Sequence, residues 1–171
     1  MTIPLDPGGL LRQLHSAGVE HVLIGGLAVN AHGVIRSTKD VDICPSPDPR
    51  NLARLAELLS RLGVRQLGVS DDGFAADELP FDPTRADDLA EGDNFRLETP
   101  LGVLDIMQWV PGIEADSAYA TLAADAQRAV AFGIEIHVCS LPALREMKRA
   151  AGRPQDLQDL ADLDSAHPDE P

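Results

Sequence analysis

Two aspartates one residue apart, Asp40 and Asp42, open a run at 41–44 with the composition of a β-strand. In a strand, residues i and i+2 project from the same face, so the two carboxylates stand side by side. Like charges this close raise one another's pKa unless a cation lies between them. Hard divalent ions such as Mg²⁺ take carboxylate oxygens together with substrate phosphates. Upstream, Gly25 and Gly26 follow strand-like residues 22–24 and precede a short helix expected at 27–32. A turn without Cβ atoms lets backbone N–H groups come close to a ligand, and the helix start behind it favours an anion. The stretch therefore suits phosphate on one side and metal on the other. A third acid, Asp105, is embedded in the apolar run 103–107. Burying a lone carboxylate is costly, so a strand that carries one needs a partner or a metal beside it.

The stretch GGLAVNAHGVIRSTKDVDI, a glycine pair followed by Asp-x-Asp, resembles the signature of the DNA polymerase β-type nucleotidyltransferase superfamily. It is most similar to the small bacterial AbiEii/MenT toxin-like branch. The resemblance implies an α+β fold, a mixed β-sheet flanked by helices with a C-terminal helix pair. It also implies that Asp105 is the family's third carboxylate, and that Asp40, Asp42 and Asp105 are catalytic and hold two Mg²⁺ (or Mn²⁺) ions. Asp105 would accept the proton of the attacking hydroxyl. A second stretch, LPALREMKRAAGRPQDLQDLADL, is similar to the family's last helices. There Lys148 matches a lysine that approaches the site, and the acid that follows it is Asp156 or Asp159. Under the same resemblance Gly25, Gly26, Arg36, Lys39 and Asp159 bind the nucleotide. The reaction implied is transfer of a nucleoside monophosphate from an NTP to a hydroxyl. Its acceptor is a tRNA 3′ end, as in MenT-type toxins with a cognate antitoxin, or a protein hydroxyl, or a small molecule as in antibiotic-modifying relatives. A different class of reading keeps the fold without the chemistry, as a binding or antitoxin module; the retained carboxylates argue against it.

The chain has 171 residues, which suits one domain, with 1–140 as a core, 141–164 as C-terminal helices and 165–171 as a frayed tail. Its 28 acids against 14 bases give a net charge of −14, which speaks against a broad nucleic-acid-binding surface. Residues 71–98 alone carry ten acids and two arginines, whereas Arg145, Lys148, Arg149 and Arg153 gather near the C-terminus. A local positive site is compatible with that distribution. No apolar run approaches the length of a membrane span. The N-terminus shows no secretory pattern, and Cys44 and Cys139, each expected in a strand, read as buried reduced thiols of a cytoplasmic protein.

The elements that must position these groups are legible from periodicity. Leu10, Leu11, Leu14 and Ala17 mark a first helix stopped by Gly18. Asp48 as cap and Pro49 in the first turn open a helix along Leu52, Leu55, Ala56, Leu59 and Leu62, ending at Gly63. A short strand is expected at 64–69 and a long acidic surface loop at 70–94 with a helical turn near 85–90. Residues 95–98 and 102–107 form a hairpin around Pro100 and Leu101, and 116–122 is weakly helical. A last hairpin at 130–138 turns near Gly133. Ser140 caps a helix with Pro142 at its start and Gly152 at its end. The final helix, 155–163, is expected to turn Leu157, Leu160, Ala161 and Leu163 toward the core. His32 reads as a cap or packing residue, and His15, His21, His137 and His167 lack metal-ligand spacing. No nucleophile-elbow pattern supports a serine hydrolase.

Overall fold

The Asp6 carboxylate accepts the Gly9 N–H at 2.8 Å and starts α1 (Pro7–Ser16), whose Leu10, Leu11 and Leu14 are each 1% exposed. In the computed structural model, which describes residues 3–67, 81–114 and 116–170, this helix leads through Gly18 into β1 (His21–Ile24). Helix α2 (Gly25–Ala31) follows directly, then β2 (Asp40–Pro45). Helix α3 (Pro49–Leu62) begins on Asp48, which accepts the N–H groups of Arg50 and Asn51, and ends on left-handed Gly63. Next come β3 (Arg65–Gln66), α4 (Ala86–Ala90), β4 (Phe95–Thr99) and β5 (Gly102–Ile106). The chain closes with α5 (Ala118–Ala124), β6 (Gln127–Ala131), β7 (Ile134–Val138), α6 (Leu141–Ala151) and α7 (Pro154–Ala166).

Among the described residues the strands form one mixed sheet in the order β3-β4-β5-β2-β1-β7-β6. Strands β2 and β5 lie parallel at its centre with Asp42 opposite Asp105, while β1 runs antiparallel to β2 and parallel to β7. The period-two alternation is plain in the central pair. Val41, Ile43, Leu104 and Ile106 are at most 1% exposed and pack into the core with α1 and α3, so Asp40, Asp42 and Asp105 emerge on the other face. The architecture is the mixed α+β sheet with flanking helices expected from the sequence.

Several elements differ from the expectation. Helix α2 opens at Gly25 itself rather than after the glycine pair, and β2 already begins at Asp40. The strand expected at 64–69 pairs only at Arg65 and Gln66; positions 68 and 69, and the acidic loop from 70 to 80, lie outside the described residues. Cys139 sits just beyond β7, although both thiols are free and buried as expected. Helix α7 departs furthest. Its buried positions are Asp156, Asp159 and Leu163, whereas Leu157 is 55% exposed and Ala161 is exposed. Spacing by i, i+3, i+7 holds, but two of the three inward residues are acids. Near the end of the chain the buried Arg145 guanidinium donates to the carbonyls of His167 and Glu170, and His167 Nε2 lies 2.6 Å from the His32 carbonyl oxygen.

Buried Asn51 closes the base of the central strands. Its side chain accepts the Glu20 N–H at 2.7 Å and donates to the Glu20 and Ser46 carbonyls, both at 2.9 Å, tying the start of β1 to the end of β2. Replacing Asn51 by Ala takes this partner from the Glu20 N–H and the Ser46 carbonyl, while the Glu20 carbonyl keeps the Ser46 N–H at 3.0 Å, and is expected to destabilise the fold by about 1–3 kcal/mol. A urea titration with an unchanged slope and a lowered midpoint checks this.

Candidate active site

The three carboxylates converge. Asp40, Asp42 and Asp105 each offer an oxygen, all within 4.8 Å of one another. Register produces the cluster: Asp42 pairs with Asp105 across parallel β2 and β5, and Asp40 precedes Asp42 by one pleat on the same face. Burial together with the negative charges of Asp40 and Asp105 pushes the Asp42 carboxyl up to about 7. Burial raises Asp105 to about 6, with Arg96 opposing and Asp40 reinforcing the rise. Asp105 is 9% exposed, and its Oδ1 is buried without a hydrogen-bond partner. A cluster of acids alone is not a metal site; a buried oxygen without a hydrogen-bond partner on one of its members is a further sign that these residues could hold a cation. The donor set is all carboxylate oxygen, which fits a hard ion such as Mg²⁺ or Mn²⁺.

The glycine pair has a reason visible in the packing. A Cβ on Gly25, whose φ is +68°, would stand 2.1 Å from Asp42 Oδ2, and one on Gly26 would meet Thr38 Oγ1 at 2.9 Å and Arg36 at 3.0 Å. The missing side chains let Asp42, Thr38 and Arg36 lie directly against the backbone. Asn30 fixes the following loop by exchanging hydrogen bonds with the Arg36 N–H and carbonyl.

The C-terminal helices bring a second charged layer to the same place. Lys148 is 6% exposed, its Nζ 3.0 Å from Asp156 Oδ1 and 2.8 Å from Asp159 Oδ2. Arg36 binds Asp159 through two nitrogens at 2.7 and 3.0 Å, and Arg153 binds Asp156 at 2.7 Å while its N–H is capped by the same carboxylate. Burial pushes both acids up, and hydrogen bonds from Arg153 and Lys148 on Asp156, and from Lys148, Gln155 and Arg36 on Asp159, outweigh it, so both carboxyls end below the ordinary value. Both acids named as alternatives from sequence thus face Lys148. Asp159 is fully buried behind Arg36 and Lys148, where it orients them. Exposed Lys39 lines the cleft.

A cleft of about 580 Å³ is lined by Gly25, Gly26, Arg36, Lys39, Lys148 and the three aspartates, among others. An adjoining chamber of about 330 Å³ shares Gly25, Asp42, Lys148, Arg153 and Asp156 with the cleft but is otherwise walled largely by Met107, Val110, Pro111, Leu144 and Met147. His32 caps α2 with its ring bonded to the Cys139 carbonyl, and burial raises both thiols to about 12, so neither residue type offers a nucleophile or base here.

Sequence reasoning missed Arg96. Its guanidinium donates to Asp105 Oδ2 at 2.5 Å and to Asp40 Oδ2 at 3.1 Å. The signal was present: a hairpin turning at Pro100 and Leu101 sets Arg96 directly opposite Asp105. Asn30, Thr38 and Arg153 were also unassigned, although each bonds within six positions, to Arg36, to the Asp40 carbonyl and to Asp156.

The fold is that of nucleotidyltransferases. The antibiotic-resistance factor ANT(2'')-Ia superposes with a TM-score of 0.56 at 18% identity, covering 93% of this chain and 83% of its own. The lincosamide antibiotic adenylyltransferase LnuA, in a lincomycin-bound structure, gives 0.60 at 15% identity, with 95% and 99% covered. A putative nucleotidyltransferase from Thermotoga maritima, TM1012, gives 0.54 at 17% identity, with 92% and 94% covered. No family profile and no curated protein matches the chain.

The raised carboxyls fix the sign of the pH dependence. An aspartate that holds its proton to about 7 in the folded state but loses it near 3.8 when unfolded makes stability fall as pH rises between those values. In chelator, thermal stability is expected to be higher at pH 5.5 than at pH 8. Asp42→Asn should flatten that slope and stabilise the protein at pH 8 by on the order of 1–2 kcal/mol. Calorimetry of both proteins across pH checks it.

Proposed function

We propose that this chain transfers a nucleoside monophosphate from a nucleoside triphosphate to a hydroxyl group of a small molecule, releasing pyrophosphate. The convergence of Asp40, Asp42 and Asp105 beside the glycine pair, with Asp105 Oδ1 lacking a partner, carries the reading. In this proposal the acceptor oxygen forms a bond to the α-phosphorus while the bond to the β-phosphate oxygen breaks, and the hydroxyl proton passes to Asp105. A cation held by the three aspartates supplies charge neutralisation at phosphate and acidifies the attacking hydroxyl. Asp40 and Asp42 orient from β2, and Asp105 from β5. Lys148 spends two of its three N–H donors on Asp156 and Asp159, leaving one for the departing pyrophosphate. Arg36 and Lys39 face the phosphates from the loop before β2.

The acceptor is inferred from the apolar chamber beside Asp42. Its walls suit the apolar body of a small molecule whose hydroxyl reaches the aspartates, and small molecules are what the names of ANT(2'')-Ia and LnuA connect with that fold. A tRNA 3′ end, with an antitoxin as partner, is the second reading and rests on the likeness of residues 25–43 to the toxin-like branch; the net charge of −14 weighs against it.

The test is incubation with Mg²⁺ and NTPs labelled at the α-phosphate, against hydroxyl-bearing antibiotics, total tRNA, protein and no acceptor. Label on a small molecule supports the reading; label on RNA transfers it to the toxin-like alternative. Absence of transfer by protein that binds NTP leaves a binding module. Folded Asp105→Asn is expected to lose at least about a hundredfold in turnover, and folded Asp42→Ala to lose it altogether. Turnover at the unsubstituted rate by either variant contradicts the assignment.

A further inference from the structure

We infer that Arg96 occupies the cation's place in the resting protein and is handed to the nucleotide's phosphates when the cation binds. The inference rests on the reading of the cleft as a nucleotide site. The Arg96 guanidinium bridges Asp40 Oδ2 and Asp105 Oδ2, the same carboxylates that would turn to a divalent ion. Arg36, Lys148 and Arg153, the other cations of the cleft in ion pairs, are tied to Asp156 or Asp159. Arg96 alone among these four has the aspartate cluster as its ion-pair partners.

Its position makes release inexpensive. Arg96 stands on β4, its side chain 47% exposed, beside β3 of only two residues. The ion pairs it surrenders are therefore partly screened by solvent. A divalent ion that claims Asp40 and Asp105 strips the guanidinium of both acceptors. The cleft that Arg96 lines is the one that would hold triphosphate oxygens, and the planar fork of an arginine matches phosphate in bidentate fashion. One side chain thus offsets part of the carboxylate charge before loading and part of the phosphate charge after it.

The experiment titrates Mn²⁺, read by the electron paramagnetic resonance of the free ion, into nucleotide-free protein as wild type, Arg96→Gln and Arg96→Lys. A non-hydrolysable α,β-methylene NTP is then titrated at saturating Mn²⁺. Arg96→Gln is expected to bind Mn²⁺ about tenfold more tightly than wild type, equivalent to about 1.4 kcal/mol, and the NTP analogue about tenfold more weakly. Arg96→Lys, which keeps the charge but loses the planar fork that matches phosphate, should shift both affinities in the same directions by less, and it carries the test if the glutamine variant does not fold. A wild-type protein that binds Mn²⁺ and analogue, with a variant that binds Mn²⁺ no tighter, overturns the competition. Unchanged analogue affinity overturns the hand-over. A wild type that binds neither overturns the proposed function and this inference together.

Discussion

Mutual repulsion among three carboxylates, gathered on the open face of β2 and β5, is the constraint around which the molecule is arranged. The parallel pairing that sets Asp42 beside Asp105 also forbids them from separating. The charge is met from two sides. Arg96 reaches in from β4, and a layer of arginine and lysine held by the C-terminal helices lies across the cleft. Compensation is incomplete, as the raised Asp42 and Asp105 carboxyls show, and incomplete compensation is what gives a site affinity for a further cation.

The layer opposite is unusual in its depth. Asp156 and Asp159 are at most 1% exposed, yet both remain ionised because Lys148, Arg36 and Arg153 surround them. Three cations against two acids leave that layer with an excess of one positive charge. Buried ion pairs contribute little net stability relative to apolar packing, but removing one member is costly. Here they act as a register: Asp159 joins a loop before β2 to the end of α6, so α7 cannot dock in another rotation without stranding charges. The Arg145 clasp on the final residues reinforces the same docking. The chamber between α6 and the residues after β5 owes its shape to this attachment.

Division of the site into a charged cleft and an apolar chamber follows from which helix face each sees. Leu144 and Met147 of α6 point to the chamber, while Lys148, one position on, sits at the seam and borders both spaces. Removal of water from both is part of the chemistry such a site can do, since charge interactions strengthen as solvent leaves.

Local chemistry was enough to establish much of this from the amino-acid order. The caps at Asp6, Asp48 and Ser140, the stops at Gly63 and Gly152, and the hairpin at Pro100 and Leu101 depend on residues within a few positions of one another. The side-by-side projection of Asp40 and Asp42 needs only the pleat of a strand. Tertiary structure alone decided three things. It turned α7 so that acids rather than Leu157 and Ala161 face inward, because partners more than a hundred residues away, such as Arg36, make that burial tolerable. It aligned β5 with β2 so that Asp105 joins the pair, a matter of register between strands that share no turn. It also laid Arg96 across the cluster, where the sum of three charges, invisible in any one segment, determines which side chain must stand there.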